Sequence, residues 1–153
     1  MTFKVKLSKN TKAWDSIRRN LTSGGDHVGK IGFFRGTYPE ASVPQVAAWQ
    51  EEGTINIPPR PFIRMGFMQD VKMGYLRKYG GYYHSIAMGT MTWKSLNELI
   101  AKDLESVMIS NIAAWDTPPN ARLTVLKKGF NDPLVETGKL MKSVESRVGR
   151  KGS

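Results

Sequence analysis

The 153-residue chain contains no cysteine. That excludes disulfides, thiolate zinc sites and cysteine nucleophiles. Small secreted domains usually need such staples, so a reducing cytoplasm is the expected setting. Histidine is almost as scarce. His27 and His84 are the only two, and neither has a metal-ligand spacing such as H-E-x-x-H. Long apolar runs are missing as well. No stretch approaches the roughly 20 apolar residues of a membrane span, and the opening MTFKVKLSKN lacks the apolar core of a signal peptide. Acidic residues are in short supply, 13 against 23 Lys and Arg, for a formal charge of +10. The surplus is dispersed along the chain. It suits a solvated basic surface or an anionic neighbour: nucleic acid, a membrane surface or an acidic protein face.

Catalytic patterns are also absent. There is no G-x-S-x-G elbow and no S-x-x-K. Gly80-Gly81 has neither the lysine nor the spacing of a phosphate loop. The acidic pairs Glu51-Glu52 and Asp103/Glu105 are near neighbours on helical segments and do not face one another as an acid/base couple would. The chain reads as a non-enzyme with no metal and no cofactor.

What is present is a globular composition, 40% hydrophobic, of a length that makes one domain. Residues 1–148 are expected to form it, with 149–153 a mobile basic tail. Trp14, Ile17 and Leu21 lie at helical spacing. Residues 27–35 read as extended. Ser42 and Gln45 have capping-box spacing, Pro44 sits in the first turn, and Gly53 terminates that helix. A helix is expected over 62–79, weakened by Gly66 and Gly74 and ended by Gly80-Gly81, with 82–91 ambiguous. Thr92 caps the longest helix, with Leu96, Ile100, Leu104, Val107 and Ile112 as its buried stripe. Asp116 to Pro119 stops it. A short helical piece, a break at Gly129 and an alternating segment over 143–148 follow. The expected class is α+β: a small, mostly antiparallel sheet packed against one long helix and several shorter ones.

Around Lys72, Arg77 and Lys78, cations interleave with Tyr75, Tyr79, Tyr82 and Tyr83. That combination suits phosphate contacts with base stacking, or a core or subunit interface. Lys142 and Arg147 extend the set of candidate phosphate or acidic-partner contacts.

Two separated blocks carry a resemblance. The first, VAAWQEEGTINIPPRPFIR (46–64), is a short helix ending in glutamate, then Gly-Thr, then a proline-bracketed Arg-Pro-Phe. The second, NDPLVETGKLMKSV (131–144), holds P-L-V-x-T-G-x-L-x-x-S. Together they resemble the tail-component family of long-tailed bacteriophages, whose members are described as neck, tail-completion, minor tail or virion morphogenesis proteins. The likeness spans most of 28–148, with an extended segment before the first block, a long helix between the two, and Lys128-Gly129 just before the second. Two departures stand out. The family usually has Glu-Phe before Gly-Thr where this chain has Glu51-Glu52, and 75–91 has no counterpart.

The resemblance implies structural work in the virion, assembled in the host cytoplasm. It implies a homo-oligomeric ring, six copies, at the head–tail junction. The ring would join the head connector or adaptor protein to the tail terminator or tail-tube protein around the channel for genomic DNA. Runner-up readings are a tail terminator ring and a basic nucleic-acid-binding accessory protein. On the ring reading, Trp49, Glu52, Ile57, Arg60, Phe62 and Arg64 form a contact with a neighbouring copy or partner. The arginines supply bidentate carboxylate contacts and Phe62 an apolar anchor. A rigid intrachain loop with Phe62 in its own core is the alternative, as is a core-edge role for Trp49. Gly53, Thr54, Pro59, Pro61, Pro133, Leu134, Thr137, Gly138 and Leu140 are read as turn and fold determinants. The basic residues are expected to meet an acidic ring, touching DNA without sequence preference at most.

Overall fold

The computed structural model describes residues 11–72, 74–135 and 137–152, without the side chains of 69–72, 75 and 76. The class is α+β. In chain order the elements are α1 (Thr11–Thr22), a 3-10 turn (Ser23–Asp26), β1 (His27–Phe33), α2 (Val43–Glu52), α3 (Phe62–Lys72), α4 (Tyr75–Ala87), α5 (Trp93–Ala114), α6 (Arg122–Lys128), α7 (Lys139–Lys142) and β2 (Val144–Arg150). Among the described residues no helix is long and apolar enough to cross a membrane.

β1 and β2 pair antiparallel, His27 opposite Arg150 and Phe33 opposite Val144. A two-stranded sheet is marginal alone and needs a helix beneath it. That helix is α5. Gly29 lets β1 approach closely, since a Cβ there would touch Ala101. Glu105 on α5 accepts the Ser146 N–H at 2.7 Å, which fastens β2 as well.

The 22 residues of α5 run through two apolar clusters. Its C-terminal half, with Met108 and Ile112, joins Val43, Ala47, Phe62, Leu134, Leu140 and Val144. Its N-terminal half meets Tyr79 and Ile86 of α4 through Leu96. The stripe differs from the expected one. Leu96, Ala101, Met108 and Ile112 are buried, whereas Ile100, Leu104 and Val107 are only half-buried. The sheet settles over the Ala101 side of the helix because a small residue there permits close packing, and this rotates the buried face.

Helix starts follow local chemistry. Ser42 and Gln45 form a reciprocal capping box. Thr92 Oγ1 accepts the Ser95 N–H at 3.1 Å. The expected helix over 62–79 is instead two. Gly74, at φ +97°, precedes α4 in a left-handed conformation that only glycine adopts without strain. Gly80 and Gly81 do not end α4. They lie inside it, because Tyr79, Tyr82 and Ile86 on the same helix pack into the second cluster. That burial outweighs the roughly 1 kcal/mol per glycine that helix propensity costs. Gly66 has a positive role too. It is buried, and a Cβ there would sit 2.9 Å from Asn111 Nδ2. Asn111 donates to the Phe62 carbonyl, so α3 and α5 cross at this point.

The basic tail is shorter than expected. Gly149 and Arg150 pair with Val28 and His27 in β2, and the Lys151 N–H donates to the Asp26 carbonyl at 2.7 Å. Backbone pairing to β1 outweighs the end-fraying that composition alone suggests.

Candidate functional site: an arginine-braced loop beside a cleft

The loop between α2 and α3 is built from its base outward. Gly53 ends α2 by donating its N–H to the Trp49 carbonyl at 2.9 Å. At the tip, Thr54 N–H donates to the Ile57 carbonyl at 2.8 Å. Thr54 Oγ1 in turn accepts the N–H groups of Asn56 and Ile57, at 3.3 and 3.1 Å. Pro58, Pro59 and Pro61 then restrict the descending limb, since each fixes its own φ. At the base Arg60 N–H donates to the Gln50 carbonyl at 2.7 Å.

The Arg60 side chain closes the structure. It is 4% exposed. Its guanidinium donates to Gln50 Oε1 at 2.6 Å, to the Pro118 carbonyl at 3.1 Å and to the Pro119 carbonyl at 3.2 Å. One fork therefore joins the end of α2, the start of α3 and the segment after α5. Burial lowers its pKa from the ordinary arginine value. Three oriented oxygens compensate for the water it has lost.

Glu51 does the complementary work. Its carboxylate accepts the N–H groups of Ile63 and Arg64, at 2.8 and 3.2 Å, and so caps the N-terminus of α3. It also lies 3.8 Å from Arg64 Nε. Phe62 is fully buried and meets Phe33 edge-on, with centroids 6.2 Å apart.

These contacts sort the expected partner residues. Arg60 and Phe62 do not face outward. The arginine is buried with three of its donors engaged within the chain, and the phenylalanine fills the main core, so neither side chain is presented to a neighbour. Arg64, Glu52 and Trp49 are exposed and Ile57 is half-buried. A cleft of about 490 Å³ opens beside the loop, lined among others by Tyr38, Trp49, Ile57, Lys128, Leu134 and Lys139. The residue that sequence reading missed is Ile55. It stands at the loop tip, 103% exposed. Its signal was positional: it lies between the Thr54 turn and the proline limb, on neither helix, with no element to pack on.

The second block lies across the same cleft. Pro133, Leu134 and Leu140 are buried, and Leu134 and Leu140 join the main core. Gly138, at φ +69°, precedes α7, and Thr137 Oγ1 accepts the Lys139 N–H at 3.4 Å. Pro59 and Thr54 are exposed at the loop, and Pro61 is half-buried at the foot of α3.

The candidate phosphate contacts do not form one platform. Tyr79 is buried and donates its hydroxyl to Asp103. Burial, then that hydrogen bond, pushes its pKa up to about 12. Lys78 Nζ lies 2.7 Å from Asp103, and the lysine's hydrogen bond holds that carboxyl below its ordinary pKa. Tyr83 packs edge-on against Trp93. The expected stacking surface around α4 therefore loses Tyr79 to the core, while Tyr82 is half-buried, Tyr83 is exposed and the Tyr75 side chain lies outside the described residues. Arg77 is exposed on α4, and the Lys72 side chain lies outside the described residues. Lys142 and Arg147 are exposed beside and on β2.

Among the described residues no group of three or more His, Asp or Glu side chains could hold a metal ion. His27 Nδ1 is buried with no hydrogen-bond partner among them, as are Trp115 Nε1 and Asn120 Nδ2. No family model, curated protein or solved structure matches this chain.

Proposed function

We propose that this chain is a structural subunit of a tailed-phage neck. On this reading it forms a homo-oligomeric ring, six copies, that completes the tail and joins it to the head connector around the DNA channel. The resemblance of the two sequence blocks motivates the reading. The observation that carries it here is the braced loop. Buried Arg60 holds a braced projection whose tip, Ile55, is fully exposed and covered by none of the described residues. A loop fixed in this way loses little entropy on docking. Trp49 at its base is 43% exposed, and α6, which borders the same cleft, exposes Leu123 and Leu126 at 75% and 72%. Unburied large apolar residues concentrated near one feature favour a protein partner over a solvated end. In this form the partner contact is made by Ile55, Trp49, Glu52 and Arg64, while Arg60 and Phe62 hold the loop in place.

Cryo-electron microscopy of virions tests the placement. A ring between connector and tail tube, with the 53–60 loop at a subunit contact, is the expected result. Absence of the chain from virions overturns it. In parallel, Ile55→Asp is expected to abolish oligomers seen by native mass spectrometry while leaving the melting temperature of the monomer within about 2 °C, as for an exposed substitution. Undiminished oligomers in that variant would remove the loop tip from the contact.

A further inference from the structure

The cleft and the loop tip beside it are chemical converses. The cleft, about 490 Å³, is walled largely by apolar groups, among them Trp49, Ile57, Pro58, Pro133 and Leu134. That is the size of a pocket that takes a drug-sized ligand. Asn120 also lies on its wall. The Asn120 main-chain N–H donates to Asn131 Oδ1 at 2.9 Å. Its side-chain Nδ2 is buried with no hydrogen-bond partner among the described residues. A buried donor left without an acceptor costs stability and calls for a reason. At the tip, Ile55 is 103% exposed. The hydrogen bonds of the turn use Thr54, Asn56 and Ile57, and among the described residues none uses the Ile55 main chain. Ile55 therefore offers an apolar side chain flanked by a peptide N–H and carbonyl in need of partners. Thr54, Ile55, Asn56 and Ile57 carry no charge.

We propose that the cleft receives the 54–57 tip of a second copy of this chain, with the Ile55 side chain as its anchor. This insertion rests on the reading above, in which Ile55 meets another copy. One chain cannot join the two features itself. Asn56, Ile57 and Pro58 belong to the cleft's own wall, and Arg60 with its three acceptors fixes the limb that bears them. The tip stands beside the cleft and not in it. A chain that carries both a knob and a hole can pass the contact from copy to copy. Such head-to-tail repetition forms a ring when the rotation closes. The chemistry of the two parts agrees. An uncharged tip enters an apolar cleft without stripping water from an ion. The Asn120 amide turns about a soft, roughly two-fold terminal bond, and a carbonyl of the incoming tip supplies the acceptor that its Nδ2 lacks. The anchor is a compact aliphatic group, and apolar anchors seated in pockets dominate contacts between proteins.

Sedimentation equilibrium and native mass spectrometry of the full chain provide the test. Thr124 is exposed on the cleft wall contributed by α6, so Thr124→Trp fills the cleft without touching the loop. Thr124→Trp and Ile55→Asp are each expected to weaken self-association at least about 10-fold, with unchanged melting temperatures. Mixed in equal amounts, the two are expected to form a heterodimer, because Thr124→Trp keeps its tip and Ile55→Asp keeps its cleft. Asn120→Ala removes the buried donor and is expected to weaken association about 5-fold, again with an unchanged melting temperature. A purely structural Asn120 would lower the melting temperature and leave association alone. Undiminished association of Thr124→Trp would overturn the insertion, and if Ile55→Asp still dissociates, the loop tip stays at a subunit contact elsewhere. An unaltered chain that stays monomeric at every concentration would also overturn it. Restored heterodimers from a chain absent from virions would uphold the insertion and remove the neck reading.

Discussion

The α2–α3 loop and the α4 segment solve the same problem with different groups. Each is a glycine-containing stretch that must be fastened to the body of the molecule. The loop is fastened by Arg60, a cation that keeps its charge across the accessible pH range, gripping neutral oxygens. The α4 segment is fastened by Tyr79 and Asp103, with Lys78 alongside, and all three can titrate. The first brace is insensitive to pH and joins three separate segments. The second is local, joins two helices, and weakens at both ends of the pH scale. The brace beneath Ile55 is therefore the one that pH does not loosen.

The largest expected effect breaks the first brace. Arg60→Ala leaves the Pro118 and Pro119 carbonyls and Gln50 Oε1 without their donor, and should cost about 3 kcal/mol. That corresponds to a melting temperature about 6–12 °C lower by calorimetry. Arg60→Lys should recover less than half of the loss, because one ammonium cannot span the three acceptors. Full rescue by lysine would show that charge, and not the fork, is what holds the loop.

A smaller effect sharpens the contrast through pH. The Tyr79 pKa is raised from 10.0 to about 12 in the fold. A raised pKa contributes stability that is present below the unfolded value and lost as pH rises through the folded one. The chain should therefore lose stability between about pH 10 and 12. Tyr79→Phe should cost about 1 kcal/mol at neutral pH and largely remove that alkaline loss in denaturant melts. Asp103 behaves in the opposite sense. Its lowered pKa contributes stability present above about pH 4 and lost as pH falls through the folded value. The same alkaline slope in Tyr79→Phe would show that another group is responsible.

The smallest effect concerns the cap between the two regions. Glu51→Ala removes the acceptor for two N–H groups of α3 and should cost about 1 kcal/mol. Hydrogen exchange should speed up at Ile63 and Arg64 first. Uniform acceleration over α4 as well would mean that the two regions are coupled more tightly than their separate braces imply.

Much of this was legible in the chain itself. Capping at Ser42 and Thr92, the stop at 116–119, the breaks at Gly53 and Gly129, and the α+β class all follow from short-range chemistry: a hydroxyl within reach of an N–H, a ring that fixes φ, a residue without a Cβ. The proline-bracketed loop was visible for the same reason. The direction of its side chains was not. Arg60 and Phe62 are two residues apart on one short limb, and no local rule says whether they face solvent, a partner or their own core. Carbonyls 58 and 59 residues away, and Phe33 on a distant strand, decided it. Likewise Gly74 and Gly80-Gly81 have equal propensity to end a helix. Only the cover that α5 provides for Tyr79 and Ile86 selects Gly74 as the break. Local torsional and hydrogen-bonding preferences act within a turn and can be read in order. Burial depends on what arrives from elsewhere in the chain, and so only the assembled tertiary structure determined which of the conspicuous residues brace the loop and which, like Ile55, are left to meet something else.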